Sequence, residues 1–274
     1  MKQIFNISTG TGQDAPQKVL LIHTGERHFS FAITNHNTHE LIQLTWYTIE
    51  ENGDHELQEI YAKHSELCHS FYRTLISYDH PMSLLIPYAA YKQIGSRGAL
   101  EAMYGVNDKH TIIDEAVPSW QLYNIYAIPF KVHDWITGHF PSASYQHNYS
   151  IAIKQVNNTD FEGSALIDFR VNDFTVIASK ANKLFLAQTF SYTTPADVIY
   201  YLLKMCKEFS FTQDSMRLCI SGLVEKESSL YRELIQYFLH VTFREGSWQL
   251  PADSEQEYPT HFFTSFNDLA LCES

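Results

Sequence analysis

Residues 28–35 set Phe29, Phe31 and Ile33 against Ser30, Ala32 and Thr34, a period of two that predicts a half-buried strand. A continuous apolar run at 18–23 precedes it, and a third strand-like stretch at 41–49 follows the turn-forming Asn35-His36-Asn37. Three strands with tight connections predict an antiparallel meander. Asp54 then caps a helix in which Leu57, Ile60, Tyr61, His64, Leu67, Cys68, Phe71 and Leu75 recur at steps of three and four, one apolar face over five or more turns. Next come a short strand at 82–87, a helical pattern interrupted by Gly95 and Gly98 at 88–104, and a strand at 123–129. A helix at 131–139 ends before Pro141, and residues 145–156 read as a connector helix. Residues 1–17, with Gly10, Gly12 and Pro16, read as a lead-in.

The pattern then begins again. Leu21-Ile22-His23-Thr24-Gly25 and Leu166-Ile167-Asp168-Phe169-Arg170 open two copies 145 residues apart, and the register holds without a gap to Gln43 and Gln188. So long a period indicates a duplicated domain rather than a solenoid. The second copy predicts strands at 165–169, 173–179 and 184–191. Thr194-Pro195-Ala196-Asp197 starts a helix, with a threonine cap, a proline at the first helical position and an acid in the first turn. A strand at 216–221 lines up with 82–87, then a helix at 228–241 and a closing strand at 243–248. The polar Asn157-Asn158-Thr159-Asp160 marks the boundary, giving domains 1–157 and 158–274. Each half reads β-β-β-α-β-α with a further strand, an α/β layered architecture.

Composition narrows the functional classes. A formal charge of −12 and no Lys/Arg run argue against broad contact with nucleic acid or an anionic membrane. The four cysteines show no CxxC pair and no apolar run approaches a membrane span. The opening residues lack the order of a signal peptide, so a cytoplasmic protein is the expectation.

Three meander strands, a helix, a strand and a helix, duplicated within one chain, resemble the actin-like ATPase (ribonuclease H-like) superfamily. The size resembles its PilM and GspL type, and the whole chain resembles an uncharacterised bacterial family of unknown function with that fold. The resemblance implies two ribonuclease H-like lobes whose first hairpins, roughly Asp-x-Gly-x, cradle phosphate and organise Mg²⁺. Glycine gives close approach and a carboxylate suits the hard cation. Here each hairpin carries half the set. Thr24 and Gly25 follow His23 where the resemblance implies Asp, while Asp168 is followed by Phe169, Arg170 and Val171. Ser221-Gly222 offers one glycine for the adenosine loop.

Each candidate has a plainer reading. Asp168 is a metal-organising carboxylate or a turn-capping acid; Thr24-Gly25 is a phosphate cradle or a β-turn; Arg170 is an anion ligand or a solvated hairpin charge. The 14 histidines include His36-x-x-His39 and a His64/His69 grouping, without zinc-site spacing; His64 on its apolar stripe reads as a core imidazole. Residues 120–126 line a peptide groove or form an interior strand. Residues 135–149 are where a partner surface is first sought. The function expected is a non-catalytic actin-like binding or scaffold protein with degenerate phosphate loops and no cofactor, holding a peptide or protein. The alternative is an ATPase or kinase-like protein binding ATP and Mg²⁺ in the interlobe cleft through Thr24, Gly25, Asp168, Arg170, Ser221 and Gly222. A homodimeric structural protein is the third reading.

Overall fold

A strand stands where the sequence reads as a lead-in. Lys2–Ser8 forms β1, because Phe5 and Ile7 turn into the core while Asn6 and Ser8 stay exposed. The computed structural model describes residues 1–8, 17–50, 54–156, 163–248 and 258–272; the expected boundary at 157–160 lies outside the described residues. The chain divides into two compact units, the first built on Met1–Ile151 and the second on Ala152–Ser247 with residues 258–268.

In the first unit, β2 (Lys18–Gly25), β3 (His28–Asn35) and β4 (Leu41–Thr48) are the expected meander. Helix α1 (Asp54–Lys63) is much shorter than its stripe of apolar residues suggests. It gives way to a 3-10 turn at Ser65–Cys68 and then to β5 (Arg73–Asp79). Thr74, Ile76 and Tyr78 supply the β-branched and aromatic side chains of a strand, and β5 pairs in parallel with β2, Leu21 opposite Leu75. This strand, not 82–87, is the counterpart of the one beginning at Met216. Ser144–His147, overlapping the start of the connector helix expected at 145–156, forms β9 beside β5. The sheet runs β1-β4-β3-β2-β5-β9.

Ser83–Pro87 (β6) instead joins a separate sheet with His110–Val117 (β7), which the sequence reading missed, and Leu122–Pro129 (β8), in the order β6-β8-β7. Helices α2 (Tyr88–Ile94) and α3 (Ser96–Tyr104) accompany it, broken at Gly95. Strand β8 belongs to two cores at once, as its period of two requires. Ile125 and Ala127 pack with Ile86, Leu100 and Val106, whereas Tyr126 and Ile128 pack with Ile76, Tyr78 and Ile136 in the main core. Residues 122–129 are therefore an interior strand. Helix α4 (Phe130–His139) follows it directly and α5 (Asn148–Lys154) follows β9.

The second unit contains β10 (Gly163–Phe169), β11 (Asp173–Lys180), β12 (Lys183–Ser191), α6 (Pro195–Phe209) and β13 (Met216–Gly222). Thr194 and Asp197 close a capping box on α6. The helix expected at 228–241 stops earlier: α7 is Ser229–Tyr237, and His240–Phe243 forms β14 in parallel with β13. A 3-10 turn at Thr260–Phe263 leads into α8 (Thr264–Leu271). The sheet order β12-β11-β10-β13-β14 repeats β4-β3-β2-β5-β9 of the first unit, with the same antiparallel and parallel pairings.

Phe174 is fully buried against Phe169, Phe190, Tyr192 and Tyr201. Phe174→Ala is expected to cost the second unit about 3–5 kcal/mol in urea unfolding, and Val171→Ala, at an exposed neighbour, within about 0.5 kcal/mol.

Candidate functional site

The hairpin between β10 and β11 turns its charge inward. Arg170 is only 4% exposed, so the solvated hairpin charge expected from the sequence is corrected. Its Nε donates to Asp173 Oδ1 at 2.5 Å, one terminal nitrogen donates to Thr175 Oγ1 at 2.8 Å, and the other lies 3.6 Å from Asp168 Oδ2. Buried guanidinium requires such company, since losing water without replacement bonds is costly. The loop amide is occupied too: Arg170 N–H donates to Asp173 O at 2.8 Å, and Tyr192 Oη donates to Arg170 O at 2.9 Å.

Asp168 and Ser221 lie side by side on β10 and β13, and Ser221 Oγ donates to Asp168 Oδ1 at 2.8 Å. Gly222 follows with φ +79°, and a Cβ there would stand 2.1 Å from Phe169 O. Glycine is required at this close backbone contact between β10 and the residue ending β13. The structure thus brings Asp168, Arg170 and Ser221 together through their own contacts, with Gly222 held beside them against Phe169.

Thr24 and Gly25 belong to the first unit, at the end of β2. A Cβ on Gly25 would meet His28 Cε1 at 2.4 Å and Asp79 O at 2.8 Å. The space left by the glycine is filled by the His28 ring. That ring stacks on Trp46 with centroids 5.4 Å apart, and its Nε2 is 3.7 Å from Asp79 Oδ2. Asn148 Nδ2 donates to the other Asp79 oxygen at 3.1 Å. His28 and Asp79 were missed by sequence reasoning. The signal available was the strand alternation at 74–79, which would have set Asp79 opposite Gly25.

Two more histidines lie behind this hairpin. His147 Nε2 donates to His80 O at 2.8 Å while its Nδ1 accepts from Tyr149 N–H at 3.0 Å, which fixes a neutral tautomer. Burial lowers His147 to about 4 and, with His147 nearby, lowers His80 to about 3. In the second unit, burial raises Asp268 to about 6 despite its ion pair with Arg244. Among the described residues, no three His, Cys, Asp or Glu side chains are grouped to hold a metal ion. No helix among the described residues is long and apolar enough to cross a membrane.

Residues 8–241 match the family described as protein of unknown function (DUF3822). The chain belongs to the DUF3822 family. No functionally curated protein matches it. Among solved structures, it is similar to a Bacteroides thetaiotaomicron protein with actin-like ATPase fold and unknown function, at 17% identity and a TM-score of 0.77, covering 96% of this chain and 99% of that one. A chain of the PilM–PilN type IV pilus biogenesis complex matches at 9% identity and a TM-score of 0.60, covering 92% and 97%. The ethanolamine utilization protein EutJ from Carboxydothermus hydrogenoformans matches at 10% and 0.51, covering 93% and 90%. These likenesses show the actin-like ATPase fold.

Gly222→Ala is expected to destabilise the second unit by about 2–4 kcal/mol in urea unfolding, because the Cβ meets a carbonyl and the φ is left-handed. The two units should respond oppositely to acid. His80 and His147 bind protons more weakly folded than unfolded, so the stability they lend is present above their ordinary 6.5 and is lost as pH falls through about 4 and then about 3. Asp268 binds its proton more tightly folded, so its contribution is present below the ordinary 3.8 and is lost as pH rises through about 6. Thermal melts between these limits should show the first unit weakening in acid, and Asp268→Asn should remove the gain in the second.

Proposed function

We propose that this DUF3822 protein is a non-catalytic actin-like binding module of the cytoplasm, whose two phosphate hairpins are closed by its own side chains. The observation that carries the reading is the buried Arg170, standing among Asp168, Asp173 and Thr175. A guanidinium and two carboxylates already meet each other's charge there, and the loop amide that would approach a phosphate bonds to Asp173 O. His28 against Gly25 has the same effect in the other hairpin. The function is then to hold a peptide or protein partner. The PilM–PilN complex supports this choice, being an assembly of proteins that includes a chain of the same fold. A groove of about 530 Å³ in the first unit, between α1 and α4, offers Phe130, Trp135, His55 and Lys131 to such a partner.

Thermal unfolding with and without millimolar Mg-ATP tests this. A ligand at about 100 times its dissociation constant adds roughly 2.7 kcal/mol to the folded state, a rise of about 5–10 °C for a protein of this size. No rise is expected. A rise of that size, abolished by Asp168→Ala, would establish the nucleotide-binding alternative instead.

A further inference from the structure

A chain of hydrogen bonds runs through the first unit, from β1 across β4 to the 3-10 turn that follows α1. His64 Nε2 lies 2.8 Å from Tyr47 Oη, and His64 Nδ1 lies 2.7 Å from Glu66 Oε1. At one end, Glu66 Oε1 also accepts from Gln43 Nε2 at 2.6 Å. At the other, Tyr47 Oη donates to Gln3 Oε1 at 2.8 Å, the oxygen that also accepts from Lys63 Nζ at 3.1 Å. Tyr47 and His64 are 1% and 5% exposed, and the Phe31 ring meets the imidazole edge-on at 5.0 Å.

The directions of these bonds fix the protons. Lys63 can only donate, so Gln3 presents its carbonyl oxygen to both neighbours. The single hydroxyl hydrogen of Tyr47 is therefore committed to Gln3, and the phenol oxygen must accept from His64 Nε2. Glu66 Oε1 faces two nitrogens, one of them the Gln43 amide. Burial opposes the Glu66 charge, yet its own backbone N–H, His64 and Gln43 together hold it below the ordinary carboxylate range. An ionised Glu66 accepts from Nδ1.

We infer that His64 is a double-donor clamp, an imidazolium that ties the edge strand β1 and the 3-10 turn after α1 to β4. The groups facing it are Gln3 from β1, Phe31 from β3, Gln43 and Tyr47 from β4, Lys63 from the end of α1, and Glu66 from the turn. Only Lys63 and Glu66 are charged; Glu66 touches the ring directly, whereas Lys63 reaches it through Gln3. Removing one proton sets acceptor against acceptor at Tyr47 or at Glu66. Since, among the described residues, β1 pairs in its sheet with β4 alone, it is the strand that loosens when either bond is lost.

Nitrogen-15 spectra of the imidazoles and amide hydrogen exchange of the intact chain test the clamp. Both His64 nitrogens should carry a proton in the unaltered chain, and Glu66→Gln should leave one. Exchange protection of β1 should then fall about tenfold in the variant, the worth of one charge-assisted bond. A singly protonated His64 in the unaltered chain would overturn the inference, whether or not the variant folds. So would β1 protection unchanged in Glu66→Gln.

Discussion

The inward turn of Arg170 is the constraint from which the second unit's hairpin takes its form. A buried guanidinium needs acceptors on several sides, and the residues on either flank supply them: Asp168 at the end of β10, Asp173 and Thr175 at the start of β11. That demand draws the loop closed and orients Asp168 toward Ser221 as well. The contact between Gly222 and the Phe169 carbonyl then brings β13 in behind it. An electrostatic requirement and a steric one thus act on the same few residues.

The first unit reaches a similar end with different chemistry. Where the second unit places a charged fork, the first places an imidazole over a glycine, supported by Trp46 and Asp79. In both hairpins a side chain of the protein stands beside the loop. The small three-stranded sheet is joined to this frame through β8, whose alternate residues enter two cores. Its connection is continuous hydrophobic packing rather than a flexible tether.

Much of this was legible in the sequence, and the failures have physical causes. The meander strands, the capping box at Thr194 and the repeat were written in periodicity that local structure obeys. Strand β5 was hidden because Leu67, Phe71 and Leu75 prolong the helical steps of α1, although Thr74, Ile76 and Tyr78 alternate as a strand. Taking 82–87 as the sheet strand followed from that misreading. β1 was hidden by the glycines that follow it. The candidate residues of the second hairpin were found from the repeat, but Arg170 was read as exposed because a hairpin position ordinarily is; its burial depends on acids two and three residues away and two strands of context. His28 and Asp79 needed the β2–β5 register, which follows only once β5 is read as a strand from the alternation at 74–79.

Urea unfolding of Arg170→Met is the most direct test of the account. Methionine keeps much of the length and apolar stem but leaves Asp168 and Asp173 without their shared cation. The account predicts a loss of about 2–4 kcal/mol from the second unit. A change within about 0.5 kcal/mol, the range of an ordinary surface substitution, would contradict it and return Arg170 to the role of a spare charge available to a ligand.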